Sequence, residues 1–268
     1  MRRIFSRKAK RGKDKKTRQR KNLLNICIIT VCAGLIVFGV WRIFIYESED
    51  IVARREYAEL REVFFQTPEA PEPSPLPEQA AELPEETEDD IEEEEHLNLD
   101  ELARINPDFI GWISIENHIE YPVVRGTNND KYMYTTFSGD RNSAGSIFMD
   151  FRNRNGFDDH IAILFGHRTR DGTMFSPLLN YLDRTFLQEN PVILITTRDG
   201  EELTYRIFAA RQTDAWDSAY EMSFSNSIQA ASAFPNAPAD ATRFLLLSTC
   251  TASNDRDERV IVFAALEG

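Results

Sequence analysis

The chain has 268 residues, 28% of them charged, a formal net charge of −13 and only three cysteines. Cys27 and Cys32 fall in an apolar, membrane-type segment, so Cys250 has no disulfide partner in the rest of the chain, which excludes a disulfide framework there. Most of the acidity sits in one stretch and says little about the fold.

Residues 1–21 hold twelve Lys or Arg and one acid, Asp14. From Leu23 to Trp41 there are 19 mostly apolar residues with no charge among them. At ~1.5 Å per residue such a helix covers a hydrocarbon core. The basic flank precedes the span, so the positive-inside rule puts 1–21 in the cytoplasm and everything after the span outside. No small-x-small cleavage site follows; Arg42 and the bulky Ile43-Phe44-Ile45-Tyr46 do, which favours an uncleaved signal anchor over 22–46. Beside a membrane span, the basic tail reads as topology control or lipid binding rather than nucleic-acid binding.

Residues 47–65 are expected to form a juxtamembrane helix, with Val52, Tyr57, Leu60, Val63 and Phe64 roughly on one side. The composition then changes sharply. Residues 66–96 contain thirteen Asp or Glu, no Lys or Arg, and six prolines. Too little apolar surface exists there to offset ordering entropy, and like charges extend the chain, so this is expected to be a disordered spacer.

Residues 97–268 are the expected globular domain, long enough for one good core. Short runs rich in Val, Ile, Phe and Tyr predict strands at 111–115, 119–124, 146–150, 161–166, 192–197, 203–210, 243–249 and 260–266. Eight such strands suggest a closed or nearly closed β-barrel. Helices are expected at 99–105, with Asn98 as N-cap, near 174–182, and at 227–234.

Cys250 ends the run Phe244-Leu245-Leu246-Leu247-Ser248-Thr249, and nine residues later Arg259 heads Val260-Ile261-Val262-Phe263. An unpaired thiol in an oxidising compartment is a liability unless it reacts. The competing reading is an inert core cysteine. Among the histidines, His118 and His160 sit in apparent turns, whereas His167 comes directly off the apolar run 161–165 and a glycine. Thiolate is the attacking species, an imidazole can exchange its proton, and a guanidinium can favour thiolate or stabilise an oxyanion. Arg256, in the polar loop 253–258, competes with Arg259 for the last role.

At these residues the chain resembles the sortases, and class B sortases in particular. Leu246-Leu247-Ser248-Thr249-Cys250 is similar to the TLxTC motif, Arg259 to the arginine that begins the last strand, and Phe165-Gly166-His167 to the strand-terminal Gly-His. The segments Asn106–Ile113, Tyr121-Pro122-Val123-Val124, Ala144–Asp150 and Asp171-Gly172-Thr173-Met174-Phe175 also resemble class B members. The resemblance runs from about Asn98 to Leu266, with His before Cys before Arg.

The resemblance implies a mainly β, sortase-like eight-stranded barrel with a few short helices after one transmembrane helix. It further implies a cysteine transpeptidase: Cys250 as nucleophile, His167 as general acid, Arg259 as oxyanion and substrate clamp, with Asn129, Ser248 and Thr249 lining the substrate groove. The implied partners are secreted or pilin-like proteins bearing a sorting motif and an amine of peptidoglycan; no cofactor, metal or nucleic acid is implied. The segment 213–238 resembles the insertion that reads the sorting motif. Leu246 departs from the motif's first Thr. No Asp-Pro-aromatic lid of the class C kind and no acidic cluster of the class A calcium kind is apparent. The alternatives are a pilin-polymerising class B enzyme and a membrane-anchored binding domain with an inert Cys250. Papain-like and NlpC-type peptidases place Cys before His, so chain order argues against both.

Overall fold

The computed structural model describes residues 2–65, 97–222, 229, 234, 236–251 and 257–267, and, within the first helix, the side chains of 28–42 and 49–65. The spacer at 66–96 lies outside the described residues, as does most of the helix expected at 227–234. The chain divides into two compact units, Met1–Glu49 and Asp50–Gly268. Helix α1 (Arg2–Phe65) makes up the first and supplies the start of the second. In the first unit Ile28, Leu35, Val37, Phe38 and Trp41 are all exposed. Among the described residues no helix is long and apolar enough to cross a membrane.

The second unit is built on eight strands: β1 (Phe109–Ile115), β2 (Ile119–Val124), β3 (Ile147–Met149), β4 (Ile161–Phe165), β5 (Val192–Thr197), β6 (Glu202–Asp214), β7 (Phe244–Cys250) and β8 (Glu258–Leu266). They close in the order β1-β2-β3-β4-β7-β8-β6-β5. The pairs β2–β3 and β4–β7 are parallel and the others antiparallel. Each run expected to be a strand is one. β6 extends beyond the expected 203–210 because it pairs with β8 from Tyr205 to Asp214, past a bulge between Ile207 and Ala209.

Strand β7 is apolar on both faces because both are covered. Leu245 and Leu247 join the barrel core with Phe109, Trp112 and Ile113. Phe244 and Leu246 face a second cluster with Phe234 and Phe263. This explains a continuous apolar run where a half-solvated strand would alternate.

Helix α2 (Leu99–Ile105) starts as its sequence dictates: Asn98 Oδ1 accepts the Glu101 N–H at 3.3 Å. The helix expected near 174–182 is a 3₁₀ helix, Ser176–Leu182, with Pro177 in its first turn. A further helix, α3 (Arg184–Glu189), is capped by Asp183, whose carboxylate accepts from the N–H groups of Thr185 and Phe186.

The segment 50–65 of α1 packs on this barrel. Ala53, Tyr57, Leu60 and Phe64 are buried at helical spacing, while Val52 lies exposed on the other side. Phe64 stacks on Trp112 with ring centroids 4.2 Å apart, and Tyr57 meets Tyr121 edge-on at 5.2 Å. Arg61 pairs with Glu120 at 2.7 Å. The compact unit therefore begins at Asp50, upstream of the boundary expected at 97.

Candidate active site

The parallel pairing of β4 with β7 aligns Phe165 with Ser248, and beyond the ladder the Gly166 N–H donates to Ser248 O at 3.2 Å. Arg168 Nε donates to Thr251 O at 3.0 Å, so the two chains stay side by side past the strand ends and bring His167 level with Cys250. On the other side of β7, the β8 register puts Arg259 directly opposite Cys250. His167, 83 residues before Cys250, and Arg259, nine after it, thus meet the thiol at one end of three adjacent strands. All three line a groove of about 320 Å³.

Gly166 is required for this arrangement. A Cβ there would fall 2.5 Å from Ile147 Cδ1 and 2.7 Å from the Phe175 ring. Only glycine lets the chain pass so close to the core before turning out His167.

The tautomer of His167 follows from its partner. Nε2 lies 2.6 Å from the Met133 carbonyl oxygen, which can only accept, so Nε2 carries the proton. Nδ1 is left as the nitrogen for proton exchange. Burial pushes the His167 pKa below its usual 6.5, and the Arg259 charge adds to this against the Met133 carbonyl, which favours the imidazolium. An imidazolium formed here is a stronger acid than a solvated one and gives up its proton readily. Tyr134 lies against the same ring, with centroids 5.7 Å apart.

Cys250 is half-buried and carries no disulfide. Arg259 is half-buried, and its Nη1 donates to Glu258 O at 3.1 Å. Arg256 lies outside the described residues. His118 bonds Asn190 at 3.1 Å and His160 approaches Thr242 O at 3.4 Å; neither lines the groove.

Asn129, Ser248 and Thr249 also line the groove. Asn129 Oδ1 accepts the Phe151 N–H at 3.0 Å and so fixes the wall that carries Asp150 and Arg152. Ser248 shares the Cys250 face of β7, and its hydroxyl lies 2.8 Å from Tyr220 OH. Thr249 alternates to the opposite face, with Leu245 and Leu247, and is buried with no hydrogen-bond partner for Oγ1 among the described residues.

Tyr220, Asp150 and Arg152 are groove residues that sequence reasoning did not single out. Tyr220 packs on Phe165 with centroids 6.1 Å apart, and burial raises its phenol pKa, so it stays a hydrogen-bonding hydroxyl. Asp150 is fully buried, and two of its oxygens take the Arg152 guanidinium at 2.9 and 2.7 Å. Among the described residues no group of three or more His, Cys, Asp or Glu could hold a metal ion.

A thiol, an imidazole and a guanidinium at the mouth of a closed barrel define an enzyme of the cysteine-nucleophile class. The comparisons narrow the class. Residues 113–267 match the family model of the sortase domain, and the chain belongs to the sortase family, whose members are cysteine transpeptidases. It is 30% identical to sortase B of Staphylococcus aureus over 188 residues, 65% of this chain and 77% of that protein. It is 40% identical to sortase B of Listeria monocytogenes over 94 residues, 35% of this chain and 38% of that protein. The crystal structure of sortase B from B. anthracis, in complex with AAEK1, superposes with a TM-score of 0.62 at 26% identity, covering 82% of this chain and 98% of that one. These relatives are class B sortases.

Proposed function

We propose that the chain is a membrane-anchored class B sortase that cleaves a C-terminal sorting motif after Thr and transfers the protein to an amine of peptidoglycan. The observation that carries this reading is the convergence of Cys250, His167 and Arg259 on one groove. The Cys250 thiolate attacks the Thr carbonyl, and the oxyanion that develops faces Arg259. As the tetrahedral adduct collapses, the C–N bond breaks, and the leaving amine takes a proton from His167. An incoming amine then attacks the thioester, gives its proton back to His167, and releases the Cys250 sulfur with a new amide formed. Asn129, Ser248 and Thr249 are proposed to contribute to the substrate wall.

The run of exposed apolar side chains from Ile28 to Trp41, after twelve basic residues, supports a single-pass anchor with the N-terminus in the cytoplasm and the catalytic unit outside. The acidic stretch 66–96 is not the tether to that anchor: residues 50–65 before it and Asn98 after it belong to the same compact unit, where the Asn98 N–H donates to Phe64 O at 3.2 Å.

A panel of peptides with LPxTG-like and NPxTN-like motifs tests the reading. Mass spectrometry should find an acyl adduct on Cys250 and an amine-dependent transfer product. No adduct with any peptide, or hydrolysis indifferent to added amine, rejects transpeptidation.

Arg259→Lys should be far from conservative. Lysine keeps the charge but loses the planar fork that can hold an oxyanion and a peptide carbonyl together. Turnover of the preferred peptide is expected to fall on the order of 10²–10³-fold, as for loss of one oxyanion donor. A near-parental rate for Arg259→Lys with an inactive Arg256→Ala would assign the role to Arg256.

A further inference from the structure

His167 is braced from behind by residues that never reach the groove. We propose that Tyr57 is a positioning residue for His167, acting through the backbone of residues 132–133 and 145–146; this rests on His167 being the general acid of the proposed reaction. The Tyr57 hydroxyl, buried, donates to Gly145 O at 2.6 Å and lies 3.3 Å from Ser146 Oγ. Gly145 has φ +58°, and a Cβ there would fall 2.6 Å from Met133 O and 2.7 Å from Tyr132 O. The two backbones are therefore in direct contact, with no side chain between them to absorb a shift.

Two further bonds tie them. The Ser146 N–H donates to Tyr132 O at 3.0 Å, and Ser146 Oγ donates to Thr135 O at 2.8 Å. The next carbonyl along, Met133 O, is the one that accepts from His167 Nε2 at 2.6 Å. A shift of Gly145 is thus passed to the acceptor that fixes the imidazole.

The same segment of α1 holds the other flank. Arg54 pairs with Asp171 at 2.5 Å, and the Asp171 carboxylate accepts from Thr173 N at 3.3 Å and Thr173 Oγ1 at 2.8 Å. Burial works against the Asp171 charge, yet bonds from Thr169, Arg54 and Thr173 bring its pKa down to about 2. That carboxylate orders the loop following His167, which closes where the Phe175 N–H donates to His167 O at 3.0 Å. Tyr57 and Arg54 therefore brace the two sides of the imidazole without lining the groove.

Position and tautomer are what the brace controls. While Met133 O stays in place the proton stays on Nε2, and Nδ1 serves the reaction. If that oxygen moves, the ring samples the other tautomer and other orientations, and the competent fraction falls.

The test is Tyr57→Phe in the full-length chain, which keeps the ring packing on Tyr121 and removes only the hydroxyl. Arg61→Ala is the control, on the same helix but paired with Glu120 on β2. Nitrogen-15 NMR of the neutral His167 ring, assigned by its loss in His167→Gln, is expected to show the Nε2–H tautomer in the parent and in Arg61→Ala. In Tyr57→Phe it should show a mixture, with kcat on the preferred peptide reduced on the order of tenfold and KM within about twofold. Retention of the Nε2–H tautomer in Tyr57→Phe overturns the proposal, as does a parental kcat. Either result would make Tyr57 a packing residue whose loss lowers Tm as Arg61→Ala does. The ring signal needs no turnover, so failure of the proposed reaction on these peptides would be seen separately.

Discussion

Cys250→Ala is expected to give no acyl adduct, no cleavage and no transfer product. The covalent route needs a sulfur at the end of β7, and none of the described residues lining the groove replaces it: Ser248 lies on the same face two residues back, with its hydroxyl engaged by Tyr220. Losing a nucleophile costs a hydrolase on the order of 10⁶ in kcat, so the variant should be indistinguishable from no enzyme. The fold should survive. Cys250 is only half-buried at the last position of its strand, and its backbone stays paired with Arg259 through the β7–β8 ladder. Truncating such a side chain costs about 1 kcal/mol. Thermal melting and mass spectrometry after incubation with peptide check the two halves. Turnover by a folded Cys250→Ala would make the thiol inert and leave a binding domain as the better reading.

Much of the barrel was legible because its strands carry their own signal. Runs such as Ile161–Phe165 and Phe244–Leu247 are apolar throughout because both faces are covered, and turn residues separate many of the strands. The meeting of Cys250, His167 and Arg259 was legible for a related reason: each stands at a strand end, so pairing alone fixes their neighbours. What surrounds them was not. Tyr220 touches Ser248 from 28 residues upstream, and Met133 O reaches His167 across 34. A lone tyrosine in a polar loop and a backbone carbonyl leave no pattern to read. Helix α3, capped by Asp183, was not read at all, because a six-residue helix has too few turns for periodicity to reveal it. The 50–65 segment shows the same boundary of inference. Its apolar spacing predicted a helix with Val52, Tyr57, Leu60, Val63 and Phe64 on one side; Val52 is exposed instead, and the rings that cover Phe64 and Tyr57, those of Trp112 and Tyr121, lie 48 and 64 residues further on.

That packing carries the second large effect: a chain beginning at residue 97 should fail to fold stably, whereas one beginning at Asp50 should be a folded domain. From sequence composition alone, the acidic stretch reads as the edge of the domain, and removal of everything before it is expected to be harmless. The structure locates four buried side chains upstream, Ala53, Tyr57, Leu60 and Phe64. Fully burying each of the three larger ones is worth ~1.5–3 kcal/mol, roughly 5–9 kcal/mol together. A whole domain retains only about 5–15 kcal/mol. Removing the helix also exposes the face of Trp112 and leaves Gly145 O, Asp171 and Glu120 without the Tyr57, Arg54 and Arg61 partners they have here. The expected result is aggregation or a Tm lowered by well over 10 °C for the chain starting at 97, at ~4–8 °C per kcal/mol for a domain near 100 residues and ~2–4 °C for larger ones. Adding a peptide of residues 50–65 in trans should restore part of the loss, because the missing surface is one continuous helical face. Equal melting temperatures and equal peptide cleavage for the two chains would mean that the helix rests on the barrel without supporting it, and would return the domain boundary to residue 97.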